Sequence, residues 1–199
     1  MPASKIMIIR HAEKPTTTPP PPKNGVTITG APDSDSLIVQ GWQRAGALVA
    51  LFAPARGPLQ SAELATPQFI YATSTSDVEG NRPEETITPL AAQLGLTPNE
   101  SFSNSQEQQA AASAISCDGV VLICWPHGKI PKLASYIPLS SNNKNPVPSS
   151  WPSDRFDVVF VFDVDTNGDY VFSQVAQLLL KGDSSDPIPT SMSSSVAGD

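Results

Sequence analysis

The 199-residue chain contains two histidines, His11 and His127, and each stands at or just beyond the end of a short apolar run. Lys5 to Ile9 stops at Arg10-His11, and Val120-Val-Leu-Ile-Cys124 stops at Trp125-Pro126-His127-Gly128. Runs of this kind fit strands buried on both faces of a parallel sheet, and such a sheet binds ligands beyond its carboxyl ends. Arg10 adjoins the first histidine, and Arg82 stands where a helix is expected to begin, just after a third apolar run, Phe69-Ile-Tyr-Ala72. Guanidinium forks match phosphate oxygens, and a helix N-terminus adds backbone donors, so the four residues describe a pocket for a phosphate-like anion.

Other chemistries fit less well. A metal site draws three or four ligands from His, Cys, Asp or Glu, and Cys117 and Cys124 lack C-x-x-C spacing. A serine hydrolase would carry G-x-S-x-G, which is absent, and Gly128-Lys129 runs into Ile130-Pro131 rather than completing a P-loop. What remains is a histidine nucleophile: neutral imidazole attacks phosphorus while arginines and the second histidine hold the oxygens. No metal and no cofactor is expected.

The elements that must position these groups alternate strand and helix. Residues 14–35, with Thr-Thr-Thr-Pro-Pro-Pro-Pro and scattered Gly, Thr, Pro and Asp, can sustain neither a helix nor a central strand and read as a long loop, able to form a lid or to remain disordered. Trp42, Ala45, Val49 and Phe52 recur at helical spacing and predict an amphipathic helix over Val39–Phe52, with Gln43, Arg44 and Ala47 on its other side. Asn81-Arg82-Pro83-Glu84 offers a cap, an early proline and an acid three positions after the cap, so a second helix runs to Leu94 and stops at Gly95. A third helix is expected over Ser105–Ala114 and a short one over Ile130–Tyr136; Ser140–Ser153 reads as a second loop. Val158–Phe162 and Tyr170–Phe172, joined through Asp165-Thr-Asn-Gly168, predict a closing hairpin. From about 183 to 199 Ser, Asp and Pro dominate, and a disordered tail is expected after a single domain over 1–182. The predicted architecture is α/β.

At the motif level the chain resembles the histidine phosphatase superfamily, in its phosphoglycerate-mutase-like branch. Arg10-His11-Ala12-Glu13 is similar to that family's Arg-His-Gly signature, with Ala12 where Gly is commoner. Val39-Gln-Gly-Trp-Gln-Arg-Ala45 resembles its Thr-x-x-Gly-x-x-Arg-Ala helix start, Arg82-Pro-Glu-Glu-Thr86 its Arg-x-x-x-Thr segment, and Cys124-Trp-Pro-His127-Gly128 the strand end bearing its second histidine. The resemblance covers about Lys5 to Leu180 in the family's order. It implies a three-layer α/β/α sandwich around a mainly parallel sheet, His11 as phospho-acceptor, Arg10 and Arg82 as phosphoryl ligands, and His127 completing the pocket. The implied activity is metal-independent hydrolysis of a small phosphomonoester through a phosphohistidine. Phosphohistidine or phosphoanhydride hydrolysis, a non-phosphate reaction in the same pocket, and an inactive phospho-ligand-binding module stay open beside it.

The family's general acid is a carboxylate on a segment after the helix that begins with the second arginine. Glu100 has that position, and Glu13 has proximity to His11; Glu84 and Glu85 read as first-turn acids complementing the helix dipole, and Glu107 as a solvated helix residue. Lys14, Trp125 and Gly128 are further candidates for substrate contact, with Trp125 equally suited to packing beneath the pocket. Twelve Lys and Arg against nineteen Asp and Glu give a net charge of −7, which repels nucleic acid at long range and requires any anion to be bound locally. The first residues carry an apolar run too short for a signal peptide, and no later stretch approaches a membrane span. The expected protein is soluble and cytoplasmic, with two buried thiols, a small phosphorylated substrate, and neither nucleic acid nor membrane as a partner.

Overall fold

The computed structural model describes residues 2–18, 20–76 and 80–190. Six strands form one mixed sheet: β1 (Lys5–Arg10), β2 (Phe69–Thr73), β3 (Asn99–Phe102), β4 (Val120–Trp125), β5 (Val158–Val164) and β6 (Tyr170–Ala176), in the order β3-β2-β4-β1-β5-β6. The first four in that order run parallel, whereas β5 is antiparallel to β1 and β6 to β5. Helices α1 (Val39–Phe52), α2 (Arg82–Leu94), α3 (Glu107–Ile115) and α4 (Ile130–Ala134) cover the two faces.

The period-2 alternation of strand side chains divides the core cleanly. Met7 and Ile9 of β1, Leu122 and Cys124 of β4, and Val159 and Val161 of β5 pack with Leu48, Leu51, Ile87 and Leu90 of α1 and α2. Ile6 and Ile8, Val121, Ile123 and Trp125, and Phe160 and Phe162 point the other way, onto Ala110 and Ala114 of α3 and Leu133 and Ala134 of α4. The fold is a three-layer α/β/α sandwich. β1 leads into α1 on one face and neighbouring β4 into α4 on the other, which opens a crevice beyond their carboxyl ends, the position where open α/β sheets bind ligands.

The first two helices have their predicted bounds; α3 and α4 differ by one or two residues at their ends. β3 was not expected: Asn-Glu-Ser-Phe has no apolar alternation, and only edge pairing with β2 makes it a strand. The hairpin is tightened by Gly168 at φ 87° and by Asp165, which accepts from the Asn167 and Asp169 amides. The 14–35 loop is built around a Thr16–Lys23 bridge and a Val26–Pro32 bridge, and it docks on α1 through the Trp42 indole, which donates to the Val26 carbonyl.

The packed chain continues beyond residue 182. The Gln174 side chain pairs in both directions with the Ile188 backbone, at 3.0 and 2.9 Å, and the Ile188 side chain is buried in the core beneath α3 and α4. Residues 183–190 therefore belong to the domain, because one isoleucine and one aspartate find partners that composition alone does not reveal; residues 191–199 lie outside the described residues. Accordingly, Ile188→Ala should lower unfolding stability by about 2–5 kcal/mol in urea titration, the cost of a truncated core side chain, where a dangling tail would register no change.

Candidate active site

The two residues after the nucleophile candidate, Ala12 and Glu13, hold it in place. Arg10 ends β1 in register with Trp125 at the end of β4, so His11 and His127 emerge from adjacent strand ends. The Ala12 amide then donates to the Thr86 hydroxyl at 2.8 Å, and that hydroxyl donates to the Arg82 carbonyl at 2.7 Å, which fastens the first turn of α2 beside His11. The Ile38 amide donates to the Glu13 carbonyl at 3.1 Å, bringing α1 against the same stretch. Gly41 permits that approach: a Cβ there would meet the Glu13 carbonyl oxygen at 2.5 Å.

His11 is fully buried, and its Nδ1–H donates to the Ala12 carbonyl at 2.8 Å. A carbonyl only accepts, so the neutral ring carries its proton on Nδ1 and presents Nε2 as the nucleophilic nitrogen. Burial holds its pKa well below the ordinary 6.5, and the charges of Arg10, Arg82 and Lys14 add to that lowering. Both effects favour the neutral imidazole, the form that keeps a ring nitrogen free to attack.

Arg10 is buried with its guanidinium 3.7 Å above the Phe156 ring and donates to the Ser153 and Arg155 carbonyls at 2.7 and 3.1 Å. Phe156 also meets the His11 ring edge-on, at 6.3 Å between centroids. Because β5 is antiparallel, its start lies at the carboxyl end of β1, and the segment before it delivers these contacts. Sequence reasoning missed Phe156, since only the strand's direction places it there.

Glu13 has a different surrounding from the one a proton donor needs. Both of its oxygens accept from Arg44, at 2.8–3.2 Å, while the other side of that guanidinium holds the Gln177 amide oxygen and both oxygens of Asp183. Burial opposes the Arg44 charge, but its bonds to Asp183 and Glu13 outweigh this and raise its pKa. Glu13 is thus the carboxylate partner of a buried ion pair. Arg44 lies on the buried face of α1, with Gly41, Ala45 and Leu48, and not on the outer side with Gln43. A cation at a core-facing position of the helix was the available signal for this cluster.

Glu100 stands half-buried on β3, and burial, with Glu84 nearby, pushes its carboxyl pKa up. Glu85 does more than complement the α2 dipole: it accepts from the Ser36 hydroxyl at 2.6 Å and from the Leu37 amide at 2.8 Å, tying the loop before α1 to the start of α2. Glu107 is buried rather than solvated, facing Lys129 and Lys132 at 3.9 and 3.4 Å. Trp125 is fully enclosed in the core under the site, so its ring packs there and offers no face to a ligand. Gly128 is exposed, with open space where a Cβ would lie, and nothing steric requires glycine there. Lys14 borders the cavity next to His11. Cys124 is buried, while Cys117 is half-buried and within 3.3 Å of the Tyr71 hydroxyl.

Among the described residues no three His, Cys, Asp or Glu side chains converge on a metal-sized site, and no helix is long and apolar enough to cross a membrane. No family model and no curated protein matches the sequence. Among solved structures, a similar one is that of a protein from Escherichia coli K-12 substrain MG1655 provisionally named an alpha-ribazole-5'-P phosphatase. It aligns at a TM-score of 0.44 and 10% identity over 87% of this chain and 95% of its own.

The electrostatics of His11 yield a direct check. Arg82→Gln removes one of the charges that disfavour the imidazolium, so the His11 pKa should move up toward 6.5. Histidine NMR titration should find the wild-type ring titrating below 6.5 and the variant above the wild-type value; coincident curves would separate Arg82 from the site.

Proposed function

We propose that the protein is a phosphatase that hydrolyses a small phosphomonoester through a phosphohistidine on His11, without metal or cofactor. One observation carries this reading: a buried imidazole whose Nδ1–H is committed to the Ala12 carbonyl, which makes Nε2 the attacking atom, amid the charges of Arg10 and Arg82. A buried cationic edge in a chain of net charge −7 suits an anion, and a phosphoryl group supplies that charge.

In the proposed reaction, Nε2 attacks phosphorus as the bond to the leaving oxygen breaks. Arg10 and Arg82 hold the equatorial oxygens, with His127 beside them, and stabilise the charge that spreads over them. Glu100 gives its proton to the departing alkoxide; its burial beside Glu84 favours the protonated form that this step needs. Water then attacks the phosphohistidine, returning a proton to Glu100 and releasing phosphate, and His11 is again neutral.

Proton donation and binding are separable. An alkyl phosphate needs its leaving alkoxide protonated, whereas p-nitrophenolate departs unaided. Glu100→Gln should therefore cost orders of magnitude in kcat on an alkyl phosphate and little on p-nitrophenyl phosphate, while Arg82→Gln should cost about 100-fold on both, the scale of losing one preorganised charge-stabilising group. Equal losses for Glu100→Gln on the two substrates would assign it to positioning. Wild-type turnover in His11→Ala would overturn the reading.

A further inference from the structure

A cavity of about 440 Å³ opens beside the candidate nucleophile, and Phe156 is the wall they share. Lys14 and Lys23 reach it from the 14–35 loop, and Lys181 from the segment after β6. The closing antiparallel strands bring that segment to the same sheet edge as His11. No carboxylate among the described residues lies within ion-pair distance of any of the three lysines.

The carboxylates that line the cavity are mostly engaged elsewhere. Glu13 and Asp183 are taken by Arg44, and Asp157 by Arg155 and the Ser184 amide. Asp154 alone is left to face three ammonium groups. Ammonium groups around one concavity repel one another, and an anion bound between them removes that repulsion. Phe156 and Ile38 supply apolar lining beside this cationic rim, and Phe156 also touches Arg10 and His11. We infer that the cavity receives the leaving group of the substrate, and that this leaving group has a small apolar body ending in a second anionic group, a carboxylate or phosphate, held by Lys14, Lys23 and Lys181. The inference rests on the phosphatase reading for the phosphoryl end and adds the substrate class. In the sequence Lys181 stands far from Lys14 and Lys23, in a segment without periodicity, and joins them only in the fold.

The test uses two matched probes on the full chain, 4-(carboxymethyl)phenylphosphonate and its neutral amide, by titration calorimetry, together with kcat/KM for the corresponding phosphate esters. The methylene insulates the ring, so the two leaving groups differ in terminal charge and not in reactivity. The carboxylate should bind about tenfold more tightly at low salt, the scale of two or three partly exposed ion pairs, and the preference should shrink as salt is added. Lys23→Gln/Lys181→Gln should reduce the affinity ratio to within about threefold, by loss of those pairs. Equal binding of the two probes by the wild type, or a preference that persists in the double variant, would overturn the inference. Preferential binding with hydrolysis of neither ester would uphold the cavity assignment while the catalytic reading failed; hydrolysis of both esters with equal kcat/KM would do the reverse.

Discussion

The backbone of Ala12 and Glu13 is held from three sides: by the Thr86 hydroxyl of α2, by the Ile38 amide at the start of α1, and by Arg44, which grips the Glu13 side chain. Everything proposed for the site depends on this clamp. The carbonyl that fixes the His11 tautomer belongs to Ala12, so a shift of that peptide would release the imidazole. Arg82 is placed by the same hydroxyl that receives the Ala12 amide. A buried ion pair such as Glu13–Arg44 adds little net stability, yet removing one partner leaves a charge stranded, at about 3–5 kcal/mol. Its effect here is geometric, since Arg44 joins the segment after His11 to Asp183 near the end of the described chain.

A second constraint comes from strand direction. Four parallel strands bring His11, His127 and the start of α2 to one edge, but they do not enclose an anion. The antiparallel β5 and β6 return the chain to that edge twice. Once they deliver Phe156 and the two carbonyls that orient Arg10, and once the segment carrying Lys181 and Asp183. The result is a buried imidazole in cationic surroundings within an acidic protein. Net charge thus predicts little about the pocket, where burial and a few paired groups decide the local field.

How far the sequence could be read depended on whether a residue's role was local. Apolar runs and helical spacing disclosed β1, β4 and α1, and the early proline and Gly95 bounded α2, because strand burial and helix ends leave a signature within a few residues. Arg10, His11, Arg82 and His127 could be grouped because each stands at an element end. Glu13 was a plausible acid only while Arg44 was assigned to the solvent side of α1. Phe156, the ordered stretch around Ile188 and the lysine-lined cavity depend on chain segments that meet across the whole fold, and composition misjudged residues 183–190 because two anchoring side chains suffice to order a polar stretch.

The central claim concerns one nitrogen atom, and rapid quenching during turnover of p-nitrophenyl phosphate, with peptide mass spectrometry and phosphorus NMR at alkaline pH, addresses it directly. The account predicts an acid-labile, alkali-stable phosphoryl group on Nε2 of His11, absent from His11→Ala. Phosphate on a serine or aspartate, or on His127 in place of His11, would contradict it.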